Sequence, residues 1–172
     1  GESVNNIFRY NLSLNDGTGT ITPVRNVDAH IYNNTFYIPE GVPFIRPGMS
    51  EGGILVENNI FLYAGREPKR EEWHHQTEKA VYRNNLYCNY QNVPREDDQA
   101  IIVDSASEVI VKPGSGPVRA GEETNSREEK TTVFDGCRLC KDSPARGRGK
   151  TIENNGGKDF FGNLLGEKKD LG

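Results

Sequence analysis

The sequence predicts an all-β solenoid, a chain wound into about four to five short coils, and three observations predict it. A short phrase returns four times, as Ile7-Phe8-Arg9-Tyr10-Asn11-Leu12, His30-Ile31-Tyr32-Asn33-Asn34-Thr35, Leu55-Val56-Glu57-Asn58-Asn59-Ile60 and Val81-Tyr82-Arg83-Asn84-Asn85-Leu86. The matched asparagines, Asn11, Asn34, Asn59 and Asn85, follow one another at gaps of 23, 25 and 26 residues. Each copy also has the alternation and the β-branched and aromatic content of a strand. None carries the three-and-four spacing of an amphipathic helix, and none is long enough for one.

Each coil reads as strand, corner, strand. Phe8, Ile31, Val56 and Tyr82 supply the leading apolar residue, and Arg9, Tyr32, Glu57 and Arg83 the variable one after it. Asparagine is a poor strand former but tolerates the left-handed conformation of a bend. Leu12, Thr35, Ile60 and Leu86 reopen the strand, with Phe36, Phe61 and Tyr87 behind the last three. Stacked coils bring equal positions together at about 4.8 Å. A buried asparagine amide then bonds to the amides of the coils on either side, which satisfies polar atoms that would be costly in a core. Asn11, Asn34, Asn59 and Asn85 are therefore predicted as a structural ladder.

The coils occupy residues 3–15, 26–38, 52–63 and 79–90. The loops between them differ. Residues 15–25 are Gly/Thr-rich, 39–51 hold three prolines, and 64–78 are charged and hold Trp73, His74 and His75. Residues 99–112 read as one more coil or a hairpin-like closure. Residues 113–132 are predicted as a mobile loop and 133–172, with Phe160 and Phe161, as an irregular cap on the C-terminal end. All of 1–172 is read as a single domain. The chain begins almost on a coil, which gives the expectation that it is the C-terminal part of a longer solenoid and that its open first coil pairs with further coils or with a second copy.

Composition narrows the function classes. The 172 residues hold 19 glycines and 9 prolines with 34% hydrophobic content, which suits a slim core with many corners. A net charge of −4, with Arg and Lys interleaved among Asp and Glu, offers no nucleic-acid-binding patch. No apolar run reaches membrane-spanning length. Cys88, Cys137 and Cys140 are an odd number, and the single C-x-x-C lacks the second pair or histidine that a zinc site needs.

The phrases VDAHIYNNTFYIPEG, ILVENNIFLYAG and AVYRNNLYCNY resemble coils of the right-handed parallel β-helix, the pectate-lyase-like group. The closing stretch, with DSPARG followed by GGKDFFGN, resembles the end of bacterial β-helix repeat proteins. The resemblance covers residues 3–105 and 134–172. It implies a secreted, periplasmic or cell-surface bacterial protein with a polysaccharide or glycan as partner. It acts either as part of a lyase or glycosidase or as a non-catalytic glycan-binding, structural or adhesin-like module.

On the lyase reading, the outward column Arg9, Tyr32, Glu57, Arg83, with His30 on the same parity, is the candidate catalytic set. His30 or Arg83 is then the base, Arg9 neutralises the developing charge and Glu57 orients or holds a metal. The alternative is a solvated face of surface ion pairs. Tyr32, Trp73, His74 and His75 are candidate saccharide contacts, although the favoured reading of Trp73 is that it pins its long loop onto the solenoid flank. No cofactor is evident. Calcium serves several lyases of this fold, but Asp28, Asp97-Asp98 and Asp104 form no ligand loop. The coils carry Glu57 and no aspartate cluster, which weakens a hydrolase reading.

Overall fold

A computed structural model describes residues 6–17, 19–21, 28–45, 52–73, 79–116 and 133–172. Eight strands form four coils of two each: β1 (Asn6–Arg9) with β2 (Leu12–Leu14), β3 (Ala29–Tyr32) with β4 (Thr35–Ile38), β5 (Ile54–Glu57) with β6 (Ile60–Tyr63), and β7 (Ala80–Arg83) with β8 (Leu86–Cys88). A ninth strand, β9 (Ile101–Val103), starts a fifth. First strands stack into one parallel sheet, β1-β3-β5-β7, and second strands into another, β2-β4-β6-β8-β9. The chain is thus an all-β parallel solenoid.

Each corner uses its two residues differently. The first, Tyr10, Asn33, Asn58 or Asn84, sits in the left-handed region at φ 51°, 51°, 56° and 53°. The second points inward and builds the ladder. Asn11 donates from its backbone N and its Nδ2 to Asn34 Oδ1, both at 3.0 Å. Asn34 repeats this onto Asn59 at 3.0 and 2.9 Å, and Asn59 onto Asn85 at 2.9 and 3.1 Å. The Asn-to-Asn bonds all run toward the C-terminal coil, while the Nδ2 groups of Asn34, Asn59 and Asn85 also donate back to Phe8 O, Ile31 O and Val56 O of the preceding coil. At the last coil the forward donors need an acceptor. Asp97 supplies it. Its carboxylate accepts from Asn84 N (2.6 Å), Asn85 N (3.1 Å), Asn85 Nδ2 (2.9 Å) and the Tyr87 hydroxyl (2.8 Å).

The two sheets differ in what covers them. The first alternates: in β7, Ala80 and Tyr82 are buried while Val81 and Arg83 are exposed. Its inward column is Phe8, Ile31, Val56, Tyr82. In the second sheet all of Ile60, Phe61, Leu62 and Tyr63 are buried. Phe36, Phe61 and Tyr87 face the interior as a stack, with ring centroids 5.4 and 5.3 Å apart. Ile60, Leu62, Leu86 and Cys88 face the other way and are covered by Val109, Ile110, Ala145 and Leu171. A strand buried on both faces reads as an unbroken apolar run, which explains the sequence IFLY.

The C-terminal residues therefore lie along the flank. They are held by the corner asparagines: Asn84 Nδ2 donates to Arg148 O (2.9 Å), Asn58 Nδ2 to Lys150 O (2.8 Å) and Asn33 Nδ2 to Asp170 O (3.1 Å). This differs from the expected placement of Phe160 and Phe161 over the C-terminal end. That end is met instead by the 91–100 loop, whose Asp97 accepts the last forward donors of the ladder. Of residues 99–112, β9 adds to the second sheet alone and a short 3-10 turn, Ala106–Glu108, follows. Most of the predicted mobile loop falls outside the described residues.

Candidate functional site

The outer face of the first sheet collects the predicted catalytic residues by register. Arg9 pairs with Tyr32, Tyr32 with Glu57 and Glu57 with Arg83, while His30 lies beside Leu55 and Ile7. Equal positions on successive coils stack at the strand spacing, so the sequence column becomes a real column.

Within it the side chains do not form one cleft. His30 Nε2 meets Glu57 Oε1 at 2.6 Å across one coil, with side-chain exposures of 29% and 14%. The His30 ring also packs on Tyr32, with centroids 4.4 Å apart. Glu57 thus turns toward His30 rather than toward Arg83, its register partner on the exposed C-terminal side. Arg9 turns the other way. Its Nη1 donates to the Tyr32 hydroxyl (3.0 Å) and to Asn154 O in the C-terminal segment (2.8 Å). Gly156, at φ +87°, lies against the same guanidinium: a Cβ there would come within 2.7 Å of Arg9 Nη2. The site is a His–Glu pair flanked by an arginine already occupied by protein acceptors. It can orient a carboxylate and offer hydrogen bonds to a ligand.

The predicted saccharide contacts fare differently. Tyr32 is 1% exposed, with its hydroxyl taken by Arg9 and its ring between His30 and Tyr10, so it supports the site from beneath. Trp73 is 6% exposed and is corrected from a sugar platform to a core residue. Its ring packs edge-on against Phe61, Tyr82 and Tyr87, and its indole N–H donates to Asn92 O at 3.1 Å. The aromatic interior offers it far more contact than solvent does. His74 and His75 lie outside the described residues.

Of the carboxylates weighed for calcium, Asp28 accepts from Gly53 N at 2.7 Å and Asp97 ends the ladder. Among the described residues, no group of three or more His, Cys, Asp and Glu side chains is gathered to hold a metal. Asp97 is the residue that sequence reasoning missed. Its only signal was an acidic residue shortly after the last matched asparagine. No helix among the described residues is long and apolar enough to cross a membrane.

No family model matches the chain. Over 99% of its length it is similar to the Lacto-N-biosidase of Bifidobacterium longum subsp. longum, 36% identical over 180 aligned positions. The chain spans 11% of that protein's length.

Proposed function

We propose that this chain is a glycan-handling segment of a carbohydrate-active β-helix protein, and that the His30–Glu57 face of its first sheet contacts the saccharide. The observation that carries the reading is the 2.6 Å His30–Glu57 pair on an outer face whose neighbouring coils are in register. The similarity to a lacto-N-biosidase supports a neutral oligosaccharide bearing lacto-N-biose as the ligand, and a secreted or cell-surface setting.

Glu57 is the acid–base candidate and His30 its orienting partner. Glycoside hydrolysis ordinarily uses two carboxyl groups flanking the scissile bond. The described outer column holds Glu57 alone, so binding by this segment is favoured over turnover by it. A lyase would need a free cation for the developing enolate. Arg9 is bound to Tyr32 and Asn154, which disfavours that use.

Calorimetric titration with a lacto-N-biose-containing oligosaccharide tests the reading. Binding without release of the disaccharide is expected. Glu57→Gln and His30→Ala should each weaken it about tenfold, the scale of a lost charge-assisted hydrogen bond. Wild-type affinity in both variants sinks the assignment.

A further inference from the structure

The coils place the same residue type at the left-handed corner three times and depart from it once. Asn33, Asn58 and Asn84 each use that position to hold the C-terminal segment by a side-chain hydrogen bond. In the first coil the position is Tyr10, at φ 51°. A bulky aromatic there is a conformational outlier that persists only where its surroundings demand it. Tyr10 lines a cavity of about 480 Å³ between this corner and the C-terminal segment. That volume falls within the range of small-ligand sites, about 300–1,000 Å³.

The opposite wall is the GGKDFFGN motif. Lys158 and Leu164 bridge antiparallel, Gly162 N donates to Asp159 O at 3.1 Å, and Gly162 takes φ +84°. The motif is therefore a hairpin with Phe160 and Phe161 at its tip, their rings edge-on at 5.1 Å. Several charged groups around the cavity are already matched. Arg138 Nε donates to Asp135 at 2.7 Å and its guanidinium lies 3.8 Å over the Phe161 ring. Arg146 donates to the Leu139 and Cys140 carbonyls, and Asp159 accepts twice from Asn163. Burial, then Tyr32, pushes the Tyr10 hydroxyl up to about 12, so it remains a proton donor at neutral pH.

We infer that this cavity is a second saccharide site, in which Tyr10 and the Phe160-Phe161 hairpin clasp a neutral sugar. Aromatic faces cover the apolar C–H face of a sugar ring, and the Tyr10 hydroxyl bonds to its hydroxyls. Lys150, Lys168 and Lys169 also line the cavity, so the neutral class is drawn from the aromatic clasp and the glycan reading, and the uronate comparison tests it. The ligand class rests on the glycan reading above, but the site is separate from the His30–Glu57 face.

The test is a titration of the whole chain with lacto-N-biose and with a uronate disaccharide, followed by amide NMR. Lacto-N-biose should shift residues around 10–12 and 157–166 and bind more tightly than the uronate. Tyr10→Phe should weaken this about fivefold, the loss of one hydrogen bond, and Phe160→Ala about tenfold. If Phe160→Ala does not fold, Tyr10→Phe decides. Binding abolished by Glu57→Gln but untouched by Tyr10→Phe overturns this inference and leaves the sheet-face reading standing. The reverse pattern supports this site and overturns the other. Tighter uronate binding, or no shift around 157–166, overturns the inference.

Discussion

Asp97 is 5% exposed and ends a ladder whose Asn-to-Asn bonds all run toward it. Asp97→Asn would turn a donor toward donors. Equilibrium denaturation should show a loss of about 2–4 kcal/mol, the scale of a buried charge-assisted bond with its partners left unpaired; a loss under 1 kcal/mol would contradict the ladder's polarity. Tyr10 behaves oppositely. Tyr10→Asn restores the residue that the other corners use, so it should stabilise the fold by about 1 kcal/mol by relieving left-handed strain. It should also weaken saccharide binding at the C-terminal cavity. The ladder asparagines were legible because a polar residue repeated among apolar ones must be answered by its own kind. Asp97 was not, since it comes from a loop and meets the ladder only in space.

The ladder and the aromatic stack work as elements, each requiring neighbours above and below. Asn59 bonds to Asn34, Asn85 and the Ile31 and Glu57 carbonyls, whereas Asn11 ends the ladder and is half-buried. Asn59→Ala should therefore cost several kcal/mol, at about 1–3 for each buried group stranded, and Asn11→Ala clearly less. Equal melting temperatures for the two variants would refute that gradient. Phe61 lies between Phe36 and Tyr87 with Phe44 and Trp73 edge-on to it. Removing its ring should cost about 3–5 kcal/mol. The strands themselves were readable from their alternation and their β-branched and aromatic content. That Trp73 joins this cluster was not, because a loop tryptophan looks the same in sequence whether it faces a sugar or the core.

At the scale of the molecule, buried phenols and a buried thiol bind stability to pH. Burial, then Glu71, raises Tyr82; burial, then Asp97, raises Tyr87; and burial raises Tyr90 well above its ordinary 10.0. Cys88 is pushed up from 9.0 to about 12, first by burial. In each case the folded state keeps a proton that the unfolded chain gives up. Their contribution is thus whole below about pH 9 and declines as pH rises above 9 for the thiol and 10 for the phenols. Ultraviolet titration should show these tyrosines ionising together with unfolding; smooth ionisation of all seven near pH 10 in a folded chain would exclude their burial. The same burial should leave Cys88 unlabelled by thiol reagents until the chain unfolds, while the partly exposed Cys140 reacts first.

The sequence by itself determined the winding. A phrase recurring every 23 to 26 residues, with one asparagine held in phase, leaves stacked parallel coils as the arrangement that satisfies both the amides and the apolar positions. Tertiary structure alone decided which face of each sheet meets solvent. The C-terminal segment covers the outer side of the second sheet and the corners, because the unbroken apolar strands there have two faces to bury. Only in space, too, did the outer column separate into a His30–Glu57 pair and an arginine turned to Tyr32 and Asn154. Register fixes which residues are neighbours, but the contacts on either side fix where each side chain points.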